Sequence, residues 1–169
     1  MCIRDSTAIP AVMIEQVGLP PEQHAWLYLA TLCGALPGVA MLVRWRQALD
    51  DPRPLLALSV MLTVLGLVTA LWSSSLPGLG VGLMLFFVGF TALETILPAL
   101  VSIVAPTSLR GTAMGIFSSA QFLGVFMGGA LGGNALHVGG AVGLVAVLSM
   151  LTGIWLAGLW RYGRAPMAA

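Results

Sequence analysis

The chain has 169 residues, of which 59% are hydrophobic and only 8% are charged, and its formal net charge is +1. A soluble domain carries roughly a quarter of its residues as Asp, Glu, Lys and Arg, so this composition excludes a folded surface in water and predicts a lipid-embedded chain. The small net charge and the absence of a basic run also argue against a nucleic-acid partner.

The N-terminal residues do not have the pattern of a membrane helix. Residues 1–6 (MCIRDS) carry two charges, and no signal-peptide apolar region or cleavage site follows them. Residues 7–14 are apolar but too few to cross a bilayer, which takes about 20 residues. We therefore expect residues 1–6 to be a non-native leader and residues 7–14 to be the end of a truncated helix.

Five apolar runs of membrane-spanning length follow, within residues 25–160. Each has a length in or near the range of roughly 17 to 25 residues that a tilted helix needs. Because the connections are short and lipid excludes open sheet edges, we predict an all-α integral membrane bundle whose neighbouring helices are antiparallel. The predicted spans are 25–43, 54–72, 79–104, 112–133 and 138–160, followed by a tail at 161–169.

Arginine placement predicts the orientation of the bundle. Threading the five spans alternately through the membrane puts every arginine outside the leader on one side, and the chain contains no lysine. The positive-inside rule then places the loops at 44–53 and 105–111, and the C-terminus, in the cytoplasm. The arginines are Arg44, Arg46, Arg53, Arg110, Arg161 and Arg164, whereas the opposite side carries Glu15, Glu22, His24 and His137.

Glu94 is the most informative residue, because it is the only Asp, Glu, Lys, Arg or His inside the five spans. A carboxylate at mid-membrane costs about 2.5 to 3.5 kcal/mol on insertion scales. Pro98, four residues later, has no N–H and leaves the carbonyl of Glu94 without its helical partner. We expect this polar spot to face a water-filled cavity, where removal from bulk water favours the uncharged form and makes a proton-binding role chemically available.

Neighbouring side chains extend the same helix face. Phe90, Thr91 and Pro98 lie within about 60° of Glu94 on a helical wheel. We assign Glu94, Phe90 and Thr91 to a substrate and proton pathway. The alternative is that Glu94 only hydrogen-bonds a neighbouring helix and holds the bundle together.

The fourth span is dense in small residues. Gly124, Gly128 and Gly132 recur every four positions, which lets two helix backbones approach closely. Ordinary internal packing and a contact that slides during a transport cycle explain this pattern equally well, and we assign these glycines and Pro98 to helix packing or hinge roles. Gln121 lies about 60° from Gly124 on the wheel and is expected to bond across that contact or to line the cavity.

No pattern in the sequence predicts an enzyme, a metal site or a cofactor. His24 and His137 lie at helix ends with no Cys, Asp or Glu at ligand spacing, so they are interpreted as interfacial residues. No HExxH, GxSxG, phosphate-loop or GxGxxG motif is present.

From residue 86 to residue 133 the sequence resembles the tenth and eleventh helices of an exporter of the major facilitator superfamily (MFS). The run F-x-x-L-E-x-x-L-P-x-L occupies residues 90–100, and Ala105-Pro106 follows it. Further on come R-G-T-A-M-G at 110–115, S-A-Q-F-L-G at 119–124 and G-G-A-L-G-G at 128–133. The series is similar to the YajR-like branch of bacterial inner-membrane transporters, which is often grouped with drug/proton antiporters.

The resemblance implies that the chain is the C-terminal six-helix half of the MFS fold, with its first helix truncated. Helix ten of that fold lines the central cavity, and helix eleven packs against the N-terminal half. The loop at 44–53 lacks a clear copy of the family's Gly-x-x-x-Asp-Arg-x-Gly-Arg motif, so no gating role is carried over to it.

The leading hypothesis is proton-coupled efflux of a small solute or drug-like compound across the bacterial inner membrane by alternating access. Its partners would be the lipid bilayer, a missing N-terminal half, the substrate and protons. One alternative is a small oligomeric membrane protein in which Glu94 is a proton or cation site, and another is a non-transporting membrane subunit. Six further spans upstream in the same reading frame would favour the first hypothesis.

Overall fold

A computed structural model describes residues 21–162 as an all-helical chain, with no strand in that range. The four helices are α1 (Pro21–Gln47), α2 (Arg53–Leu71), α3 (Leu76–Val104) and α4 (Arg110–Tyr162). The predicted all-α membrane bundle is confirmed. The proposed leader, the truncated helix and residues 163–169 of the tail lie outside the described residues.

Each helix is long and apolar enough to cross a membrane. The shortest, α2, has 19 residues and is therefore about 28 Å long, close to the roughly 30 Å of the hydrocarbon core. Pro37 in α1 and Pro98 in α3 are accommodated inside their helices. Only helices satisfy every backbone polar group within one segment, which explains why such apolar runs fold this way in lipid.

The ends of α3 follow from local sequence. Ser75 is its N-cap, and its hydroxyl oxygen accepts a hydrogen bond from the backbone N–H of Gly78 at 3.3 Å. Pro77 occupies the first turn, where a missing N–H costs nothing. At the other end Ala105 is extended, because the following Pro106 disfavours helical geometry in the residue before it.

The C-terminal part of the chain differs from the prediction of two separate spans. Residues 134–137, predicted to connect them, are helical, and α4 is instead broken at Gly140, which has φ 59° and ψ −155°. Glycine adopts this left-handed region without the penalty that a Cβ imposes. The predicted connection is therefore wrong by a few residues, because nothing at 134–137 forces the helix to stop.

The break at Gly140 reverses the chain direction. A Cβ built on Gly132 lies 3.4 Å from Cδ1 of Leu144, and one built on Gly143 lies 2.7 Å from the carbonyl oxygen of Ala135. These pairs flank the break almost symmetrically, as expected for two pieces that run back against each other. We call residues 110–139 the first piece of α4 and residues 141–162 its second piece.

Two hydrophobic clusters form the core, one at each end of the bundle. One cluster lies near the α2–α3 connection and includes the second piece of α4; its buried members are Ala70, Leu71, Leu79, Leu83 and Leu144. The other lies near the α1–α2 connection, and Leu159 packs against it; its buried members are Leu42, Leu55, Leu56, Ala92 and Ile96. Each of α1, α2 and α3 contributes residues to both clusters, and the order of the two clusters reverses from one helix to the next. Consecutive helices therefore run in opposite directions.

Glycines bring α2 and α3 into backbone contact. A Cβ built on Gly82 would lie 2.6 Å from the backbone nitrogen of Ala70 and 2.9 Å from the carbonyl oxygen of Gly66. One built on Gly89 would lie 2.7 Å from the backbone nitrogen of Thr63. Sequence reasoning missed this contact, although α2 carries a stripe of small residues at helical spacing that signals it: Ser59, Thr63, Gly66 and Ala70.

Candidate functional site around Glu94

A hydrogen bond between Glu94 and Gln121 joins α3 to the first piece of α4. Nε2 of Gln121 donates to Oε1 of Glu94 at 2.6 Å. Glu94 lies ten residues before the end of α3 at Val104, and Gln121 lies eleven residues after the start of α4 at Arg110. At 1.5 Å per residue, both are about 15 Å from these helix ends, which is half of the hydrocarbon thickness.

Glu94 belongs to a small polar region on α3. Its side chain is exposed on the surface of the described chain, and so is that of the adjacent Thr95. Oγ1 of Thr95 donates to the carbonyl oxygen of Thr91 at 2.8 Å. Since Pro98 has no N–H to offer the carbonyl of Glu94, a carboxylate, a free carbonyl and the Gln121 amide lie at one level of the bundle.

Aromatic rings continue this face by one turn. Phe90 is 44% exposed and stacks on Phe86, with ring centroids 5.7 Å apart and planes 6° from parallel. Phe87 meets Phe86 edge-on at 5.6 Å and also meets Tyr28 of α1 edge-on at 6.4 Å. The structure therefore brings together Glu94, Gln121 and, one turn away, Thr91 and Phe90.

Two grooves flank α3 between Glu94 and the end that carries the arginines. The groove between α3 and the first piece of α4 has a volume of about 590 Å³ and includes Val101, Val104, Ala113 and Ile116 in its lining. The groove between α1 and α3 has a volume of about 280 Å³ and carries Arg46, Gln47 and Thr95 among its lining residues. Leu100 borders both grooves.

The glycine face of α4 is only partly covered. A Cβ built on Gly124 or Gly128 meets nothing within 4 Å, whereas Gly132 faces Leu144 of the second piece. The adjacent Phe122 and Phe126 are each 74% exposed. Gln121 therefore bonds to α3 and not across a glycine contact.

Apart from Glu94, the charged groups of the described residues lie at or near the helix ends. Nη2 of Arg53 lies 2.8 Å from Oδ2 of Asp51, and its guanidinium carbon lies 5.5 Å from the centre of the Trp160 ring. Nη1 of Arg46 donates to the carbonyl oxygen of Leu49 at 3.2 Å. Among residues 21–162 no group of three His, Cys, Asp or Glu side chains could hold a metal ion.

Comparison with known proteins finds transporters. The inner membrane transport protein YajR of Escherichia coli (strain K12) is 35% identical over 153 residues, which cover 88% of this chain and 33% of YajR. An uncharacterized transporter of Buchnera aphidicola subsp. Baizongia pistaciae is 52% identical over 52 residues, which cover 31% of this chain and 13% of that protein. The chain thus spans about a third of the length of YajR. No protein-family model and no solved structure matches the sequence.

Proposed function

Because the chain is homologous over most of its length to YajR, an MFS-type inner membrane transport protein, we propose that it is the C-terminal half of a proton-coupled secondary transporter. The observation that carries this proposal is the carboxylate of Glu94 at mid-depth, bonded to a neutral amide and not to a cation. A carboxylate in this position is costly and is a functional-site hypothesis by default in a membrane protein.

The chemistry of Glu94 suits a proton carrier. No other Asp, Glu, Lys, Arg or His occurs within 25–43, 54–109 or 111–136, so no cation of these segments pairs with Glu94. Proton uptake removes a charge from a low-dielectric environment, and proton release restores it. Such a change biases the equilibrium between two conformations, which is what alternating access requires.

The transported solute would bind beside this carboxylate. Phe90 offers an exposed aromatic ring and Thr91 a hydroxyl one turn from Glu94, a combination that fits a small drug-like compound with apolar and polar parts. We propose efflux driven by proton entry, in a cavity that the N-terminal half completes. The uncovered face at Gly124 and Gly128 supplies a surface for that half, and the arginine-bearing end faces the cytoplasm.

A second copy of the chain is the competing occupant of that face, as in a small oligomeric membrane protein. Small-residue helix faces serve dimers as well as internal contacts. Six upstream spans in the same reading frame would support the transporter, and their absence from the native gene would support the oligomer.

The direct test of the proposed function is Glu94→Gln in the native full-length protein, because the amide preserves volume and hydrogen bonding but cannot ionise. We expect loss of proton-driven efflux of a fluorescent drug-like probe such as ethidium, with probe binding retained. Asp50→Asn, which removes a carboxylate from the exposed loop after α1, is the matched control and should transport normally. Wild-type proton coupling in Glu94→Gln would reject the proposal.

A further inference from the structure

Gln121 has a property that no charged or apolar residue at its position would share. Its amide is both a donor, through Nε2, and an acceptor, through Oε1. An ionised carboxylate can only accept, whereas a protonated carboxyl group can also donate through its O–H. The amide can therefore bond Glu94 in either state, after a half-turn of its terminal group.

No other described side chain near Glu94 is placed to hydrogen-bond its carboxyl group in both protonation states. Charged and titratable residues on the packed helices lie at the ends, namely His24, Arg44 and Arg46 on α1, Arg53 on α2, and Arg110 and Arg161 on α4. His137 lies at the opposite end of the first piece of α4, and Thr95 directs its hydroxyl to the carbonyl of Thr91. The Gln121 amide is the polar side chain that reaches Glu94 from α4.

We propose that Gln121 is a positioning residue that keeps Glu94 hydrogen-bonded, and the first piece of α4 attached to α3, in both protonation states. This inference rests on the proposed role of Glu94 as a proton site. If so, α3 and the first piece of α4 keep the same distance from each other during proton uptake and move as one rigid unit. A lysine or arginine would instead hold the carboxylate ionised, and an apolar side chain would leave it unpaired at mid-depth.

The distance across the larger groove tests the proposal. Val101 and Ala113 line this groove from α3 and α4, so Val101→Cys and Ala113→Cys give a spin-label pair once Cys33 and every other cysteine of the full-length protein are replaced by serine. Distances are measured by pulsed electron paramagnetic resonance on the native full-length protein in liposomes, in acidic and in alkaline buffer. We expect one unchanged distance population at both pH values, and the same population in Glu94→Gln.

Two variants at position 121 sharpen the test. Gln121→Met keeps length and flexibility but removes the amide, and should lose the single population at either pH. Gln121→Glu places two carboxylates together, so the wild-type distance should be kept in acid, where they share a proton, and lost in alkali, where they repel.

A pH-dependent distance in the wild type, or a wild-type distance in Gln121→Met, would overturn the positioning role. These distances do not depend on transport, so failure of the proposed function is recognised separately, by intact proton coupling in Glu94→Gln.

Discussion

The guanidinium of Arg53, the first residue of α2, lies 5.5 Å from the centre of the Trp160 ring near the end of α4. The same guanidinium donates from Nε to both carboxylate oxygens of Asp51, at 3.0 and 2.9 Å. Arg53 therefore connects the α1–α2 loop, the start of α2 and the last turn of the described chain. Asp51 and Arg53 are neighbours in sequence, whereas Trp160 lies more than a hundred residues further along the chain, so this contact ties the end of α4 to the arginine-bearing end of the bundle.

Replacing Arg53 with glutamine should lower the thermal stability of the detergent-solubilised protein modestly. The cation–π contact with Trp160 and the ion pair with Asp51 are both screened by solvent, so each stabilises the fold only weakly. Arg44→Gln, which removes a charge from an exposed position on α1, is the control. Equal losses in the two variants would show that general charge, and not this contact, is responsible.

Gly82→Ala should destabilise the protein by about 1–3 kcal/mol, as overpacking of a tight contact does. The added Cβ would lie 2.6 Å from the backbone nitrogen of Ala70, and backbone cannot yield as a flexible side chain can. Gly80→Ala, on the same helix, meets nothing within 4 Å and should be neutral or slightly stabilising. Thermal unfolding of both variants in one detergent measures the difference, and equal stabilities would contradict the close α2–α3 contact.

Gly128→Leu should leave the stability of this part of the protein intact, because a Cβ there meets no atom within 4 Å. In the proposed full-length transporter it should hinder the close approach of the two proposed halves, at a cost of about 1–3 kcal/mol to the state in which they touch. Cysteine crosslinking between the halves reports the shifted population. Unfolding of the variant without a change in crosslinking would mean that the glycine face packs within this half.

Labelling of single cysteines with a membrane-impermeant maleimide tests the orientation. Ser74→Cys, in the exposed α2–α3 connection, should react in intact spheroplasts, whereas Ala48→Cys, in the exposed loop after α1, should react only after lysis. The reason is that every arginine of the described helices lies at the α1–α2 end, which the positive-inside rule places in the cytoplasm. The reverse labelling pattern would invert the assignment.

The sequence allowed the fold class, and most helix bounds to within a few residues, to be predicted, because membrane spans are set by length and composition alone. It also identified Glu94 and Gln121, the two polar side chains that the structure joins. It could not predict the turn at Gly140, since Gly139 and Gly140 are two of many glycines and only the backbone distinguishes them. The α2–α3 contact was missed for a related reason: small residues permit a close approach, but their partner is fixed by tertiary structure.

Backbone contact between α2 and α3 has a consequence for how the chain assembles in the membrane. The two helices are joined by only a few residues and meet without an intervening layer of side chains at Gly66, Gly82 and Gly89. Contacts that are near in sequence form fastest, and van der Waals packing between small residues drives association in lipid. We expect α2 and α3 to insert together as a helical hairpin. The helix α1 and the two pieces of α4 would then pack against this hairpin.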